Sequence, residues 1–348
     1  MSRSVVPIST SSRSDREVGH RVETVTQPAA PPTGWRLWLA GARPRTLPAA
    51  VVPVLVGTAV AAGLRYTCPA YGYSGCIGAH HIIGPAWLKG LIVWRALAAA
   101  VVALFIQVGT NYANDYSDGV RGTDDETRVG PLRLVGSGLK SPSSVKKAAI
   151  ASFGVAALAG LALAAVTTWW LLLVGAVCFA AGWLYTGGPR PYGYYGFGEL
   201  FVFVFFGLVA TVGSTYVQLE SIPWLAWACA VPVGCLATAL LVVNNLRDIP
   251  TDAVAGKKTL AVRIGDTRTR VFYVVLMTIP YLMIPVIAGL GRRWVAIIAF
   301  GAIFLAHKPV LAVLEGVKGA ALIPVLAGTA RVQLVYGVLL SVGLFVSG

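Results

Sequence analysis

Residues 91–122 read LIVWRALAAAVVALFIQVGTNYANDYSDGVRG. Roughly the first twenty positions are apolar apart from Arg95 and Gln107, and at ~1.5 Å rise per residue such a run crosses the ~30 Å hydrocarbon layer of a bilayer. With no turn signal between, the run passes into Asn111, Asn114, Asp115 and Asp118 and stops at Gly122. Positions 0, +3 and +7 of this tail fall on one face of a helix. The stretch therefore describes a membrane-crossing helix that aims a strip of oxygen ligands in one direction at its end.

The same arrangement occurs a second time. Residues 245–256 read NLRDIPTDAVAG and also follow an apolar run. Asn, then Asn or Asp at +3, Asp at +7 and Gly at +11 recur with identical spacing as Asn111, Asn114, Asp118, Gly122 and as Asn245, Asp248, Asp252, Gly256. The chain has only 14 acidic residues, and half of them lie in the two short segments that carry these motifs. Carboxylates at a membrane are costly and persist where they pair or bind cations. Two oxygen-rich strips facing each other suit Mg2+, a hard cation that keeps waters and takes substrate phosphate oxygens. Ordinary charged loops need neither asparagines embedded at the end of a span nor a repeated spacing.

Composition agrees with a bilayer as solvent. The 348-residue chain is 56% hydrophobic, only 12% charged, and has a mean hydropathy of +0.73; soluble domains carry about 25% charged residues. Nine apolar spans are long enough to cross: 47–64, 91–112, 145–166, 168–185, 200–217, 223–243, 271–290, 294–313 and 322–346. The eighth is interrupted by His307, Lys308 and Pro309, which predicts an early end. The expected fold is an all-α polytopic membrane helical bundle with nine transmembrane helices, spanning residues 34–348. Residues 1–33 are rich in Ser, Arg and Pro, lack the apolar core of a signal peptide, and are expected to form a disordered cytoplasmic tail.

The net charge of +14 sits at the ends of apolar runs and not in an aromatic-interleaved basic domain, which argues against nucleic acid as a partner. With the N-terminus inside, 23 of the 28 lysines and arginines fall in inner segments, leaving Arg65, Lys89, Arg95, Arg292 and Arg293 outside. This asymmetry predicts a multi-pass cell-membrane protein with a cytoplasmic N-terminus, an extracytoplasmic C-terminus and both acidic motifs on the cytoplasmic side. Tryptophans near span ends, such as Trp94, Trp169, Trp170, Trp224 and Trp294, fit interfacial anchors. Cys178, Cys229 and Cys235 lie inside apolar runs as packing residues. Cys68 and Cys76 flank a Gly/Tyr-rich loop and would pair if that loop faces an oxidising compartment.

Basic residues complete the constellation. Lys257 and Lys258 follow Gly256, Arg121 and Arg133 follow the first motif, and Arg190 follows Tyr185. Cations so placed would neutralise a diphosphate leaving group. Asp124-Asp125-Glu126 fails the DDxxD pattern because Arg128 stands in the fifth position. A secondary transporter would also carry an internal repeat and intramembrane acids, but its ion ligands belong near the bilayer midplane; here the acids lie at span ends.

The stretches 111–124 and 245–265 resemble the two Asp-rich motifs of the UbiA-type intramembrane aromatic prenyltransferases, and the resemblance runs over nearly the whole chain from Arg43. Within that family, ARPRTLPA (42–49), NDYSD (114–118), YTGGPRP (185–191) with GFGE (196–199), and RDIPTD (247–252) with GKKTLAVR (256–263) are similar to the branch acting on 1,4-dihydroxy-2-naphthoate. The resemblance implies a central cavity open to lipid, with polyprenyl diphosphate as donor and dihydroxynaphthoate as acceptor. The prenyl group would join the ring with loss of CO2 and diphosphate, giving a demethylmenaquinone. It implies Mg2+ held by Asn111, Asp115 and Asp118 on one side and Asp248 and Asp252 on the other. Diphosphate would be bound by Arg121, Arg133, Arg190, Lys257 and Lys258. The acceptor would lie against Arg43, Arg45, Tyr185 and Asn245. Other acceptors within the family (hydroxybenzoate, homogentisate, haem or a phosphosugar) are the alternative reading.

Overall fold

The computed structural model describes residues 33–66, 91–122 and 132–347. The expected N-terminal tail up to residue 32, the Cys68–Cys76 loop and Asp124 to Arg128 lie outside the described residues. Those described fold into helices: α1 (Trp35–Gly41), α2 (Pro48–Tyr66), α3 (Val93–Arg121), α4 (Pro142–Val166), α5 (Trp170–Leu184), α6 (Gly198–Val202), α7 (Ala210–Leu219), α8 (Trp224–Val254), α9 (Leu260–Gly289), α10 (Ile303–Leu314) and α11 (Leu322–Val346). A π-helical segment, Phe203–Val209, joins α6 to α7, and a 3-10 stretch, Trp294–Ala302, leads into α10.

Seven of these helical segments are long and apolar enough to cross a membrane, or eight if α1 and α2 form one span bent by 57°. The fourth expected span is shorter than the sequence suggests. Helix α5 has 15 residues, about 22 Å of helix, because Trp169 starts it late and the Gly187-Gly188-Pro189 turn follows soon after its end. The expected early end of the eighth span does not occur: α10 continues through Lys308 and Pro309 to Leu314.

Helix α8 is the axis of the bundle, with 78% of its most apolar stretch buried. It packs against α2, α7, α9, α11 and the π-helical segment, and the main core, from Val52 and Val56 through Leu236 and Val243 to Ile284 and Leu340, lies around it. Large side chains such as Leu158, Trp170, Leu282 and Phe304 point outward, as a lipid-facing surface requires. The helix ends gather at two poles. At one, Arg95 at the start of α3 bonds to Glu220 and to the carbonyls of Val166 and Val217, and Arg293 bonds to the carbonyl of Ser347. The ends of α3 and α8 with the acidic motifs belong to the other.

Both motif helices are longer than a bilayer needs. Helix α3 has 29 residues and α8 has 31, about 43 and 46 Å against a ~30 Å hydrocarbon layer. Each therefore carries its last turns, and its motif, past the apolar layer. Gly122 and Gly256 stop the two helices in the left-handed conformation, at φ 67° and 72°.

Candidate active site

One cavity of about 490 Å³ runs between α3, α4, α5, the π-helical segment, α7 and α8. Its mouth is polar and its shaft apolar. All six polar positions of the repeat line the mouth: Asn111, Asn114 and Asp118 from α3, and Asn245, Asp248 and Asp252 from α8. Arg43, Arg133, Tyr185, Tyr194, Asn244 and Lys257 line it with them. The shaft descends past Ile106, Val102 and Ala99 on α3, Leu163 on α4, Phe179 and Leu171 on α5, and Phe205 and Val209 on the π-helical segment. From Asp118 to Ala99 is nineteen residues of α3, about 28 Å. Helix α5 packs on α3 and α4, and the stack of Tyr192 on Phe201, centroids 4.0 Å apart, with Phe201 on Phe205, walls the shaft next to the mouth.

The tip of α3 is a hub to which the surrounding segments are tied. Asn111 donates its amide to the carbonyl of Ala42 and to Thr46 Oγ1, and Gln107 also reaches Thr46. These bonds hold the turn that carries Arg43, whose backbone is left-handed at φ 54°. Asn114 accepts from Thr186 Oγ1 at 2.8 Å. Arg121 donates to the carbonyls of Thr186 and Gly188, fastening the same loop.

Asp115 faces away from the cavity. It is 1% exposed, and its two oxygens accept from the backbone N–H groups of Leu134 and Val135 at 2.8 and 3.1 Å. Its charge is spent on the loop that carries Arg133.

Asp118 is where the two motifs meet. Tyr194 donates its hydroxyl to Asp118 Oδ1 at 2.7 Å, Lys257 Nζ lies 3.4 Å from the same oxygen, and Arg133 Nη2 lies 3.8 Å from Oδ2. Lys257, which follows the second motif, thus reaches across to the first. Across the mouth, Arg247 grips Asp248 with two bonds of 2.7 Å and donates to Asn244 at 2.9 Å. Carboxylates at the C-terminal ends of two helices sit at the negative pole of each macrodipole, so cations beside them are an electrostatic requirement.

Tyr194 and Arg247 were not singled out from sequence. The signal for Tyr194 was the Tyr/Gly-rich turn Tyr192–Tyr195 directly after Arg190. Its ring lies 4.9 Å from Lys257 Nζ and 5.5 Å from the Arg121 guanidinium, and its carbonyl accepts from Lys258 N at 2.9 Å. Arg247 stands inside the repeat, but a cation between oxygen ligands carried no pattern of its own.

On the remaining side of the mouth, Tyr185 lies against two glycines. An added Cβ at Gly193 would stand 3.0 Å from the ring, and one at Gly198 would stand 3.2 Å from the ring and 3.4 Å from its hydroxyl. An ordinary phenol keeps its proton at neutral pH, so the Tyr185 hydroxyl can donate a hydrogen bond. Glu199 is buried and accepts from Asn245 Nδ2 at 2.9 Å.

Of the residues expected at the site, Asn111, Asp118, Asp248, Asp252, Arg133, Lys257, Arg43, Tyr185 and Asn245 come together at the mouth. Asp115 and Arg121 lie behind it as fasteners. Arg190 and Lys258 are exposed and off the cavity wall. Arg45 points to a different groove, between α2 and α11.

The sequence pattern described as the UbiA prenyltransferase family matches residues 76–321. A 1,4-dihydroxy-2-naphthoate octaprenyltransferase of Mycobacterium tuberculosis is 48% identical over 299 residues, covering 86% of this chain and 93% of that protein. The protein of the same name from Escherichia coli K12 is 34% identical over 324 residues, covering 89% and 95%. Among solved structures, a UbiA homolog from Archaeoglobus fulgidus bound to DMAPP and Mg2+ aligns over 88% of this chain and 99% of its own, with a TM-score of 0.55 at 17% identity. At that identity the likeness is one of fold.

Proposed function

The chain belongs to the UbiA prenyltransferase family, and from that premise we propose that it transfers a polyprenyl group from polyprenyl diphosphate to 1,4-dihydroxy-2-naphthoate in menaquinone biosynthesis. The observation that carries this reading is a cavity with a charged mouth continuous with an apolar shaft. It matches a substrate with a diphosphate head and a long hydrocarbon tail. The identity to named dihydroxynaphthoate octaprenyltransferases, across most of both chains, supports the acceptor.

The donor set fits a hard divalent cation. Asp118, Asp248 and Asp252, with the side-chain oxygens of Asn111 and Asn114, offer oxygen alone. Among the described residues no three acidic, His or Cys side chains gather into a ready-made cage. Mg2+ is characteristically held by one or two carboxylates and completed by substrate phosphate oxygens, so this mouth suits it. We assign one ion to Asp118 and its strip and another to Asp248 and Asp252. When bound, such ions would supply charge neutralisation for the departing diphosphate.

The chain's own residues do the rest. Lys257 and Arg133 take diphosphate oxygens as the allylic C–O bond breaks. The shaft holds the tail and keeps water from the carbocation. Asn245 and the protonated Tyr185 orient the acceptor ring, and Arg43 faces its carboxylate. The ring carbon that bears the carboxylate forms the new C–C bond to the prenyl C1. Loss of CO2 then returns the bonding pair to the ring, leaving the hydroquinone form of demethylmenaquinone. The excess of lysine and arginine on the inner segments supports a cytoplasmic mouth and N-terminus.

The test is product formation by the purified protein in lipid, with a long polyprenyl diphosphate, dihydroxynaphthoate and Mg2+. Demethylmenaquinol, CO2 and pyrophosphate should appear in equal amounts, cease with EDTA, and resume with Mg2+. Prenylation of hydroxybenzoate in preference to dihydroxynaphthoate, or no product from a folded preparation, would overturn the assignment.

A further inference from the structure

The geometry points to a binding site for an anionic phospholipid in the groove between α2 and α11, on the opposite side of the 44–46 turn from the active site. This second cavity, about 410 Å³, is lined by Arg45 and Arg331 and walled by Pro48, Ile323, Ala327 and Leu334 among others. Arg43 lines the catalytic mouth, whereas Arg45, two residues on, lines this groove. The left-handed backbone of Arg43 and the 3-10 turn Pro44–Thr46, which carries Arg45, part the two cations.

Both guanidinium groups are exposed, and among the described residues neither has a hydrogen-bond or ion-pair partner. That is unusual for Arg331. It stands nine residues beyond the start of α11 at Leu322, about 14 Å along a membrane-spanning helix. A charged side chain at that depth is costly and is retained where it meets an opposite charge. Its Cα–Cβ bond tilts toward the N-terminus of the helix, so the side chain runs back along the groove to the interface where Arg45 lies. Helices α2 and α11 both begin at this pole, at Pro48 and Leu322, and their positive ends add to the field.

The shape selects a lipid over a soluble anion. A phosphate held between Arg45 and Arg331 would leave the wall of Ile323, Ala327 and Leu334 facing nothing apolar. A phospholipid places its phosphate on the two cations and an acyl chain along that wall. Basic pockets between transmembrane helices hold anionic headgroups in this way.

Native mass spectrometry of the full-length protein released from micelles tests the site, with phosphatidylglycerol and phosphatidylcholine of the same acyl chains supplied together. Phosphatidylglycerol should be retained roughly tenfold more than phosphatidylcholine. The double substitution Arg45→Gln, Arg331→Gln should bring retention to the phosphatidylcholine level. Leu334→Trp, which fills the apolar wall and leaves both charges, should lower it as well and serves if the double variant does not fold. Equal retention of the two lipids by the unmodified protein, or a phosphatidylglycerol preference that survives both variants, would overturn the proposal. Displacement of the bound lipid by millimolar inorganic phosphate would make this a soluble-anion site and reject the lipid.

Discussion

Asp115 is the residue for which sequence and structure make different predictions, and Asp115→Asn separates them. The native carboxylate accepts two backbone N–H bonds, at 2.8 and 3.1 Å, at a position 1% exposed. Bonds to a buried charge are worth ~1.5–3 kcal/mol each. Asparagine keeps one acceptor oxygen, now uncharged, and turns an NH2 toward the second N–H. The net loss is about 2–4 kcal/mol, concentrated on the loop that holds Arg133 within 3.8 Å of Asp118. With that loop loosened, the guanidinium loses its fixed place at the diphosphate. A loss of ~1.4–2 kcal/mol in substrate binding is a 10- to 30-fold rise in KM for polyprenyl diphosphate. The Mg2+ concentration for half-maximal rate should stay within about twofold, since Asp115 does not face the cavity. Asp118→Asn should raise the Mg2+ requirement more than about tenfold, and its melting temperature should fall too, because Lys257 and Arg133 lose the carboxylate they approach. The assay is initial rate of pyrophosphate release in proteoliposomes against each ligand in turn, with thermal unfolding measured beside it. If Asp115→Asn raised the Mg2+ requirement as much as Asp118→Asn and left the melting temperature unchanged, Asp115 would be a metal ligand and the reasoning above would be wrong.

Three further variants probe the rest of the mouth. Lys257→Gln removes a buried ammonium that lies 3.4 Å from Asp118; KM for the prenyl diphosphate should rise about 10- to 100-fold, and an unchanged KM would place Lys257 outside the diphosphate site. Tyr194→Phe deletes a 2.7 Å bond to Asp118, worth ~0.5–1.5 kcal/mol, so kcat/KM should fall about 3- to 10-fold; no fall would make this hydroxyl a bystander. Gly198→Ala sets a methyl group 3.4 Å from the Tyr185 hydroxyl, and the naphthoate KM should rise several-fold while the prenyl diphosphate KM holds; equal effects on both would remove Tyr185 from the acceptor side.

The sequence displayed the site through its repeat. Positions 0, +3 and +7 of both motifs pick out six residues, and all six line the mouth. Asp115 stands at +4, off the repeat, and it is the motif carboxylate that turns away. By phase alone +4 flanks the same face as 0 and +7; what draws Asp115 away is the pair of backbone N–H groups of Leu134 and Val135, a contact with a later loop that the spacing does not encode. What the sequence could not display was contact between segments far apart in the chain. Tyr194 reaches Asp118 across 76 positions and Asn245 reaches Glu199 across 46. No local pattern encodes such pairs, which exist only once α3, α8 and the loop before α6 are packed together. Arg45 fails for a related reason: it and Arg43 share one short basic stretch, and only the left-handed backbone of Arg43 and the 3-10 turn that carries Arg45 send them to different grooves. The expected span at 168–185 is apolar throughout but helical for only 15 residues, because hydropathy reads the chemistry of a run and not where its helix starts and stops.

The arrangement of charges at the mouth explains how buried carboxylates are kept without substrate. Asp118, Asp248 and Asp252 lie at the C-terminal ends of two long helices, where the backbone field is already negative. In the free protein that conflict is met from within: Tyr194, Lys257 and Arg133 approach Asp118, and Arg247 holds Asp248. A diphosphate brings negative charge of its own, which draws Lys257 and Arg133 toward its oxygens and leaves Asp118 in need of a cation. Binding the head group and recruiting a divalent ion are therefore one coupled event. Each should tighten the other, and by linkage the coupling must be equal in both directions. Measured separately, the affinity for prenyl diphosphate should rise with Mg2+ by the same factor as the affinity for Mg2+ rises with prenyl diphosphate. In Lys257→Gln that factor should shrink, because Asp118 then lacks its nearest cation before substrate arrives and attracts the metal regardless. A coupling factor of one in the unmodified protein would mean that the carboxylates and the lysine act independently, and that their proximity at 3.4 Å serves packing alone.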